Sequence, residues 1–134
     1  MTNATVAYSD SWGDVLDRPE DDCVEIRWFD TTAEMDGDDF SDFLTRYVEA
    51  FERSTCSNGL IDAVQFKMDF AKMNMGWRDV HIVPRYNAAG LKKFAFVMPQ
   101  GMPAIGKAPV NEGPANFPTA YFATRKEAIT WLNE

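Results

Sequence analysis

The chain contains one histidine, so any chemistry that needs an imidazole must use it. His81 follows Trp77 by four residues and lies close in sequence to Asp79. An imidazole can act as a general acid or base near neutral pH. No nucleophile or second ligand stands beside it in the sequence, and this favours an ordinary helix residue over a catalytic group.

A single carboxylate interrupts an otherwise apolar segment. Asp62 stands within Gly59-Leu-Ile-Asp-Ala-Val-Gln-Phe66. Burying a carboxylate is costly unless the group is paired or lies at the end of a strand. In open α/β sheets ligands collect at the carboxyl ends of strands. Asp62 is therefore a candidate site residue, with structural pairing as the alternative.

Large apolar side chains are concentrated between residues 66 and 77, and they exceed what one helical stripe needs. Methionine provides soft surface that adapts to a partner. Core packing is the default explanation, and a binding surface is the alternative. Met102, from the proline-rich residues 99–118, is added to this set. The candidate ligand or partner residues are Asp62, Phe66, Met68, Phe70, Met73, Met75, Trp77, His81 and Met102.

Motifs of familiar catalytic and nucleotide-binding sites are missing from the sequence. None of the five serines lies in a GxSxG context, and the sequence has no P-loop or dinucleotide fingerprint. No His/Cys cluster suggests zinc. Asp36-Gly-Asp-Asp39 lacks the spacing of a calcium loop, and its carboxylates suit the N-terminus of a helix. We expect no catalytic constellation, metal or cofactor.

Length and composition indicate one globular domain. The chain has 134 residues, of which 46% are hydrophobic and 25% charged. It shows neither an apolar run long enough to span a membrane nor an export signal. A cytoplasmic protein is therefore expected, in which the two cysteines, Cys23 and Cys56, stay reduced.

The net charge of −8 is unevenly distributed. Residues 1–67 carry −11 and residues 68–134 carry +3, and 13 carboxylates lie within residues 10–42. Such an acidic surface repels nucleic acid and anionic membranes. Neither is an expected partner.

Periodicity predicts the elements that would position these residues. Residues 1–22 are predicted to be an acidic lead-in with a short strand at 4–8 and a turn at 12–14. In residues 23–28 apolar and charged side chains alternate, which predicts a strand with one buried face. A helical stripe follows and is expected to end at Ser57-Asn58-Gly59. The stripe consists of Phe40, Phe43, Leu44, Tyr47, Val48 and Phe51.

The second half alternates strands and helices. Predicted strands cover residues 59–66, 91–98 and 119–123, and residues 71–90 form a helix in two pieces, divided at Pro84 and ended at Gly90. A capping box of Thr124 and Glu127 opens the last helix. Five of the seven prolines fall in residues 99–118, a composition typical of a long irregular loop that can act as a lid or contact surface.

Short motifs give the sequence a family resemblance. The ending Tyr121-Phe-Ala-Thr-Arg-Lys-Glu-Ala-Ile-Thr-Trp-Leu132 resembles the close of SpoIIAA-like proteins, in the group related to STAS domains and CRAL-TRIO-type lipid-transfer proteins. Ile-Asp-Ala at 61–63, Gly-Trp at 76–77 and Lys-Phe-Ala-Phe-Val at 93–97 match in order. The resemblance covers about residues 23–134. It implies an α/β domain with a mixed sheet of four to five strands and helices packed against it.

The resemblance also implies a regulatory or ligand-binding role. In the anti-sigma antagonists of this family a serine after the central strand is phosphorylated, but residues 62–69 contain no serine or threonine, so no such switch is expected here. The leading hypothesis is a non-catalytic domain that binds a small apolar ligand or a protein partner. One alternative is a small enzyme that acts on an apolar substrate, with Asp62, Asp79 or His81 as acid or base. The other is a homodimer whose interface uses the surplus apolar residues.

Overall fold

A computed structural model describes residues 4–102 and 108–134, and its centre is a mixed β-sheet. The strands are β1 Thr5–Ser9, β2 Gly13–Arg18, β3 Cys23–Trp28, β4 Asn58–Asp62, β5 Lys93–Val97, β6 Val110–Asn111 and β7 Pro118–Phe122. Their order in the sheet is β1-β2-β3-β4-β5-β7-β6; the central strands β3, β4, β5 and β7 are parallel, and β1, β2 and β6 pair antiparallel at the edges. The predicted α/β class and mixed sheet are confirmed, but the sheet has seven strands where four or five were expected.

One of the additional strands lies in the N-terminal segment. The strand predicted at residues 4–8 is confirmed as β1, and the unpredicted strand β2 joins it to β3 in antiparallel pairing, so the expected lead-in extends the sheet. Gly13, expected in a turn, is the first residue of β2, and a Cβ there would lie 2.5 Å from the carbonyl oxygen of Arg27. The exposed strand β1 and the polar residues of β2 give little alternation, so the sequence pattern was weak.

Helix α1, Gly37–Arg53, follows the predicted stripe. All six residues of the stripe are buried, and Asp36 and Asp39 form a capping box at its N-terminus. The helix ends earlier than expected, because Asn58 and Gly59 belong to β4. Gly59 is needed there since the Phe94 ring and the Tyr47 hydroxyl occupy the space of a Cβ.

The two-piece helix is confirmed as α2, Met75–His81, and α3, Val83–Ala89, with Pro84 in the first turn of α3. Gly90 ends α3 with a φ of 81°, a left-handed conformation that favours glycine. Helix α4, Arg125–Leu132, begins after Thr124, whose hydroxyl oxygen accepts the N–H of Glu127 at 3.2 Å. The Glu127 carboxylate in turn accepts from the Thr124 hydroxyl at 2.9 Å.

The two faces of the sheet carry different layers. The larger core lies between the sheet and helices α1 to α3, and Ile26, Ile61 and Phe94 point into it. The smaller core packs α4 on the opposite face and consists of Cys23, Leu60, Ala95, Val97, Ala128 and Leu132. Because side chains alternate along a strand, residues next to each other in β4 serve different layers.

The proline-rich segment 99–118 is not wholly irregular. Its described parts, 99–102 and 108–118, include β6, which pairs with β7 at the sheet edge, where prolines are tolerated. Ala115 and Phe117 are buried in the larger core. The segment is therefore partly tethered; the loop prediction for residues 103–107 lies outside the described residues.

Candidate functional site

An apolar cavity of about 310 Å³ opens within the larger core. Its lining among the described residues is apolar except for Lys67, Arg78 and the Tyr86 hydroxyl. The apolar lining comprises Ile26, Trp28, Phe40, Leu44, Ile61, Ala63, Phe66, Met68, Phe70, Met73, Met75, Phe94, Phe96, Met98, Pro99 and Met102, together with the ring of Tyr86. Ligand pockets typically measure roughly 300–1,000 Å³ and are lined in this way.

The sheet supplies the floor of the cavity. Ile26, Ile61, Phe94 and Phe96 extend from β3, β4 and β5 on the face that carries α1. The rings of Phe94 and Phe96 meet edge to face, with their centroids 5.2 Å apart. Three neighbouring parallel strands thus hold this wall in place, and the packed rings limit how far it can collapse.

Residues 66–75, which follow β4 and are called the covering segment below, lie over the floor. Phe66 packs against Trp28, with ring centroids 5.2 Å apart. The backbone N–H of Lys67 donates to the hydroxyl of Thr32, which is fully buried, at 2.9 Å. Asp69 then accepts the N–H of Ala71 at 3.0 Å, which begins a short 3-10 turn. These bonds fix a stretch of chain that has no strand or long helix of its own.

The cavity opens to solvent at this segment. Phe70 and Met75 line it and are nevertheless 70% and 39% exposed. Pro99 and Met102 line it as well, and they follow β5. The mouth is thus formed by the covering segment, with a contribution from the start of the proline-rich segment.

Two polar groups of the lining lie near each other. Burial raises the pKa of Tyr86 to about 12, while the positive charge of Arg78 acts in the opposite direction. The Tyr86 hydroxyl therefore stays protonated at neutral pH and can donate a hydrogen bond. The guanidinium carbon of Arg78 lies 5.9 Å from the centroid of the Phe94 ring, a cation–π distance.

Six of the nine residues proposed from the sequence line the cavity: Phe66, Met68, Phe70, Met73, Met75 and Met102. The other three, Asp62, Trp77 and His81, do not. That the six bind a ligand remains a prediction, but the structure brings them together around one space.

Asp62 lies on the other face of the sheet. Its neighbour Ile61 points into the cavity, so the side chain of Asp62 points toward the layer of α4. Its carboxylate accepts the N–H of Val64 at 3.2 Å and turns the chain out of β4. The strand thus ends at Asp62, where the sequence predicted that it continues to Phe66, and the carboxylate lies away from the cavity.

The acid–base groups of the enzyme alternative are not assembled on the cavity wall. His81 is exposed and packs on Trp77, with ring centroids 5.2 Å apart. Asp79 lies 3.7 Å from Arg78 and is partly exposed. The described lining contains no carboxylate, histidine, cysteine, serine or threonine.

Sequence reasoning missed the sheet side of the cavity and Arg78. The sequence pattern predicts Trp28, Phe94 and Phe96 only as strand residues and assigns no role to Arg78. Alternation along β3 and β5 places these aromatic side chains on one face. The unfilled space appears only when the sheet, α1 and the covering segment pack together.

Other site types have little support in the described part of the chain. There, no group of three or more His, Cys, Asp or Glu residues could hold a metal ion. Cys23 and Cys56 are both free and buried. No helix within residues 4–102 or 108–134 has the length and apolar character to cross a membrane.

The cavity is therefore the feature of the described structure best suited to binding. It combines a typical ligand-pocket volume with a largely apolar wall and three residues that can donate hydrogen bonds, Lys67, Arg78 and Tyr86. Comparison of the chain with family models, with curated proteins and with solved structures finds no match.

Proposed function

We propose that this protein is a non-catalytic domain that binds a small apolar ligand in the cavity beneath residues 66–75. The observation that carries the proposal is the 310 Å³ space inside the larger core. The space opens to solvent beside Phe70 and Met75, and its volume lies at the lower end of the range typical of ligand pockets, roughly 300–1,000 Å³.

The composition of the wall favours binding over catalysis. General acid–base catalysis needs a titratable group within hydrogen-bond reach of the substrate. The lining groups that could take part are a phenol with a pKa of about 12, a guanidinium and an exposed lysine. The Tyr86 phenol is protonated at neutral pH and so is not a general base there, whereas methionine and aromatic side chains suit an apolar ligand.

The order of elements supports a place among SpoIIAA-like proteins, which we propose as the family. The succession β3, α1, β4, α2–α3, β5, β7 and α4 follows the order read from the motifs. The additional strands β1, β2 and β6 lie outside the parallel centre of the sheet. A regulatory role through ligand or partner binding is consistent with this proposal.

Calorimetric titration with octan-1-ol, an uncharged eight-carbon probe, tests the binding function. At roughly 0.8 kcal/mol per buried methylene the chain gains about 6 kcal/mol, so we expect one site with Kd between about 10 µM and 1 mM. Native mass spectrometry of the purified protein adds a search for a retained small molecule.

Ala63→Leu supplies the blocked variant, because Ala63 is buried at the wall and a larger side chain extends into the space. We expect binding to weaken at least tenfold. Val80→Ala is the matched control, since Val80 is 67% exposed and does not line the cavity, and it should bind as the wild type does. Equal binding by both variants, or no binding by the wild type, would overturn the proposal.

Light scattering at several protein concentrations tests the homodimer alternative.

A further inference from the structure

Both charged residues of the cavity lining are positive. Arg78 and Lys67 contribute to the described wall, and no carboxylate does. The charge of the lining is thus opposite in sign to the net charge of the chain, which is −8. Within a wall of low polarity a fixed positive charge acts on a ligand more strongly than it would in water.

Arg78 is withdrawn from solvent without a close partner among the described residues. Its side chain is 17% exposed, yet its nearest carboxylate, that of Asp79, is 3.7 Å away. Charge-assisted hydrogen bonds are typically about 2.7–2.9 Å long. Adjacent residues of a helix do not face each other, so Asp79 is poorly placed to pair with the guanidinium.

Two other arginines of this protein donate hydrogen bonds from their guanidinium groups to both oxygens of a carboxylate. Arg125 donates to both carboxylate oxygens of Glu25 at 2.5 and 2.6 Å, and Arg85 donates twice to Glu52. Both are more exposed than Arg78, with 36% and 39% of their side chains accessible. The most buried of these three arginines is thus the one without a forked partner in the described part of the chain.

Arg78 lines the cavity, and its guanidinium is not sealed from its surroundings. No buried side-chain nitrogen or oxygen of the described residues lacks a hydrogen bond, so the unbonded nitrogens of Arg78 retain some access. The guanidinium lies against Phe94, a wall residue. The Tyr86 hydroxyl, which also makes no hydrogen bond to another described residue, offers a second donor nearby.

We infer that the ligand is a small apolar carboxylate, whose hydrocarbon body fills the cavity and whose carboxylate pairs with the guanidinium of Arg78. The planar fork of arginine matches the two oxygens of a carboxylate. The volume limits the body to a short aliphatic chain or a single ring system. This inference rests on the proposed apolar ligand site and adds the charge and chemical class of its occupant.

Three probes of equal chain length test the inference by calorimetry at neutral pH: octanoate, octan-1-ol and octylammonium. We expect the wild type to bind octanoate at least tenfold more tightly than octan-1-ol, and octylammonium most weakly. If octan-1-ol and octanoate bind equally, the carboxylate inference is wrong while the apolar site stands. If no probe binds, the proposed function itself fails.

Arg78→Gln should reduce the preference for octanoate over octan-1-ol to less than about twofold, because it removes the charge. Retained octan-1-ol binding reports that the cavity is still folded. Arg85→Gln, which removes a surface arginine with the same substitution, should keep the full preference. A preference that survives Arg78→Gln would overturn the inference.

Arg78→Lys decides the matter if the glutamine variant does not fold. It keeps the positive charge but lacks the planar fork, so the preference for octanoate should fall at least threefold. An unchanged preference in this variant would contradict pairing with the guanidinium.

Discussion

Arg125 and Glu25, one hundred residues apart in sequence, form a forked ion pair on the face of the sheet opposite the cavity. Glu25 lies in β3 and is fully buried, and Arg125 opens α4. Arg18 of β2 donates to the same carboxylate at 2.5 Å. The pair therefore ties the N-terminal strands and the last helix to the centre of the sheet.

Glu25→Gln should destabilise the protein by about 3 kcal/mol, because it leaves two arginines without their carboxylate. Urea unfolding measures this free energy. Glu52→Gln is the matched control: its pair with Arg85 is exposed, and its loss should cost less than about 1 kcal/mol. Equal effects of the two substitutions would show that the buried pair does not secure the fold.

The same carboxylate predicts a pH dependence. Burial alone would raise the pKa of Glu25, but the hydrogen bonds and charges of Arg125 and Arg18 lower it overall. Since the folded pKa is below the unfolded value of 4.5, the stabilisation is complete above pH 4.5 and is lost as the pH falls through the folded pKa. Unfolding free energies from pH 7 to 3 should fall more steeply for the wild type than for Glu25→Gln. Parallel curves would contradict this origin.

Gly59 should not tolerate a side chain. A Cβ at this position would enter the space of the Phe94 ring and lie 2.8 Å from the Tyr47 hydroxyl, so Gly59→Ala should destabilise the fold by about 1–3 kcal/mol. Gly76→Ala is the matched control, because nothing lies within 4 Å of a Cβ there and alanine favours a helix, by about 0.5 kcal/mol. Thermal unfolding distinguishes the two, and a neutral Gly59→Ala would show that this packing is loose.

Cys23 should be unreactive in the folded protein. Burial, together with the charge of Glu25, raises its pKa to about 12, which leaves on the order of one thiolate in ten thousand at pH 8. In a Cys56→Ala background, labelling with a disulfide reagent should be at least about 100-fold slower in buffer than in urea. Rapid labelling of the folded protein would mean that the layer beneath α4 opens readily.

The sequence predicted those parts of the fold in which one periodicity dominates. The stripe of α1 repeats over four turns, and β3 alternates strictly, so both were recognised. Strand β1 was predicted at residues 4–8, but β2 was missed because Val15 and Leu16 are adjacent and flanked by Asp14 and Asp17, which leaves no alternation. The strand predicted from Gly59 is confirmed as β4, but it begins one residue earlier at Asn58, and the packing that requires Gly59, against Phe94, is not local.

In the candidate site, too, the residues that could be predicted are those with a local signal in the sequence. The surplus of methionines and phenylalanines in residues 66–75 pointed to the covering wall, because local composition records it. The roles of Trp28, Phe94 and Arg78 depend on how three strands and a helix pack together, and a local sequence pattern does not predict that packing. For Asp62, alternation gives its face relative to Ile61 but does not reveal which face holds the cavity.

The most direct test of the ligand site uses the methionines as probes. Met68, Met73, Met75, Met98 and Met102 line the cavity, whereas Met35 is fully buried in the same core but does not line it. In a protein labelled with ¹³C at the methionine methyl groups, titration with octan-1-ol should shift the five wall methyl signals along one saturable curve and leave that of Met35 unmoved. Shifts confined to the exposed Met75, or equal shifts of Met35 and the wall, would contradict a ligand site in this cavity.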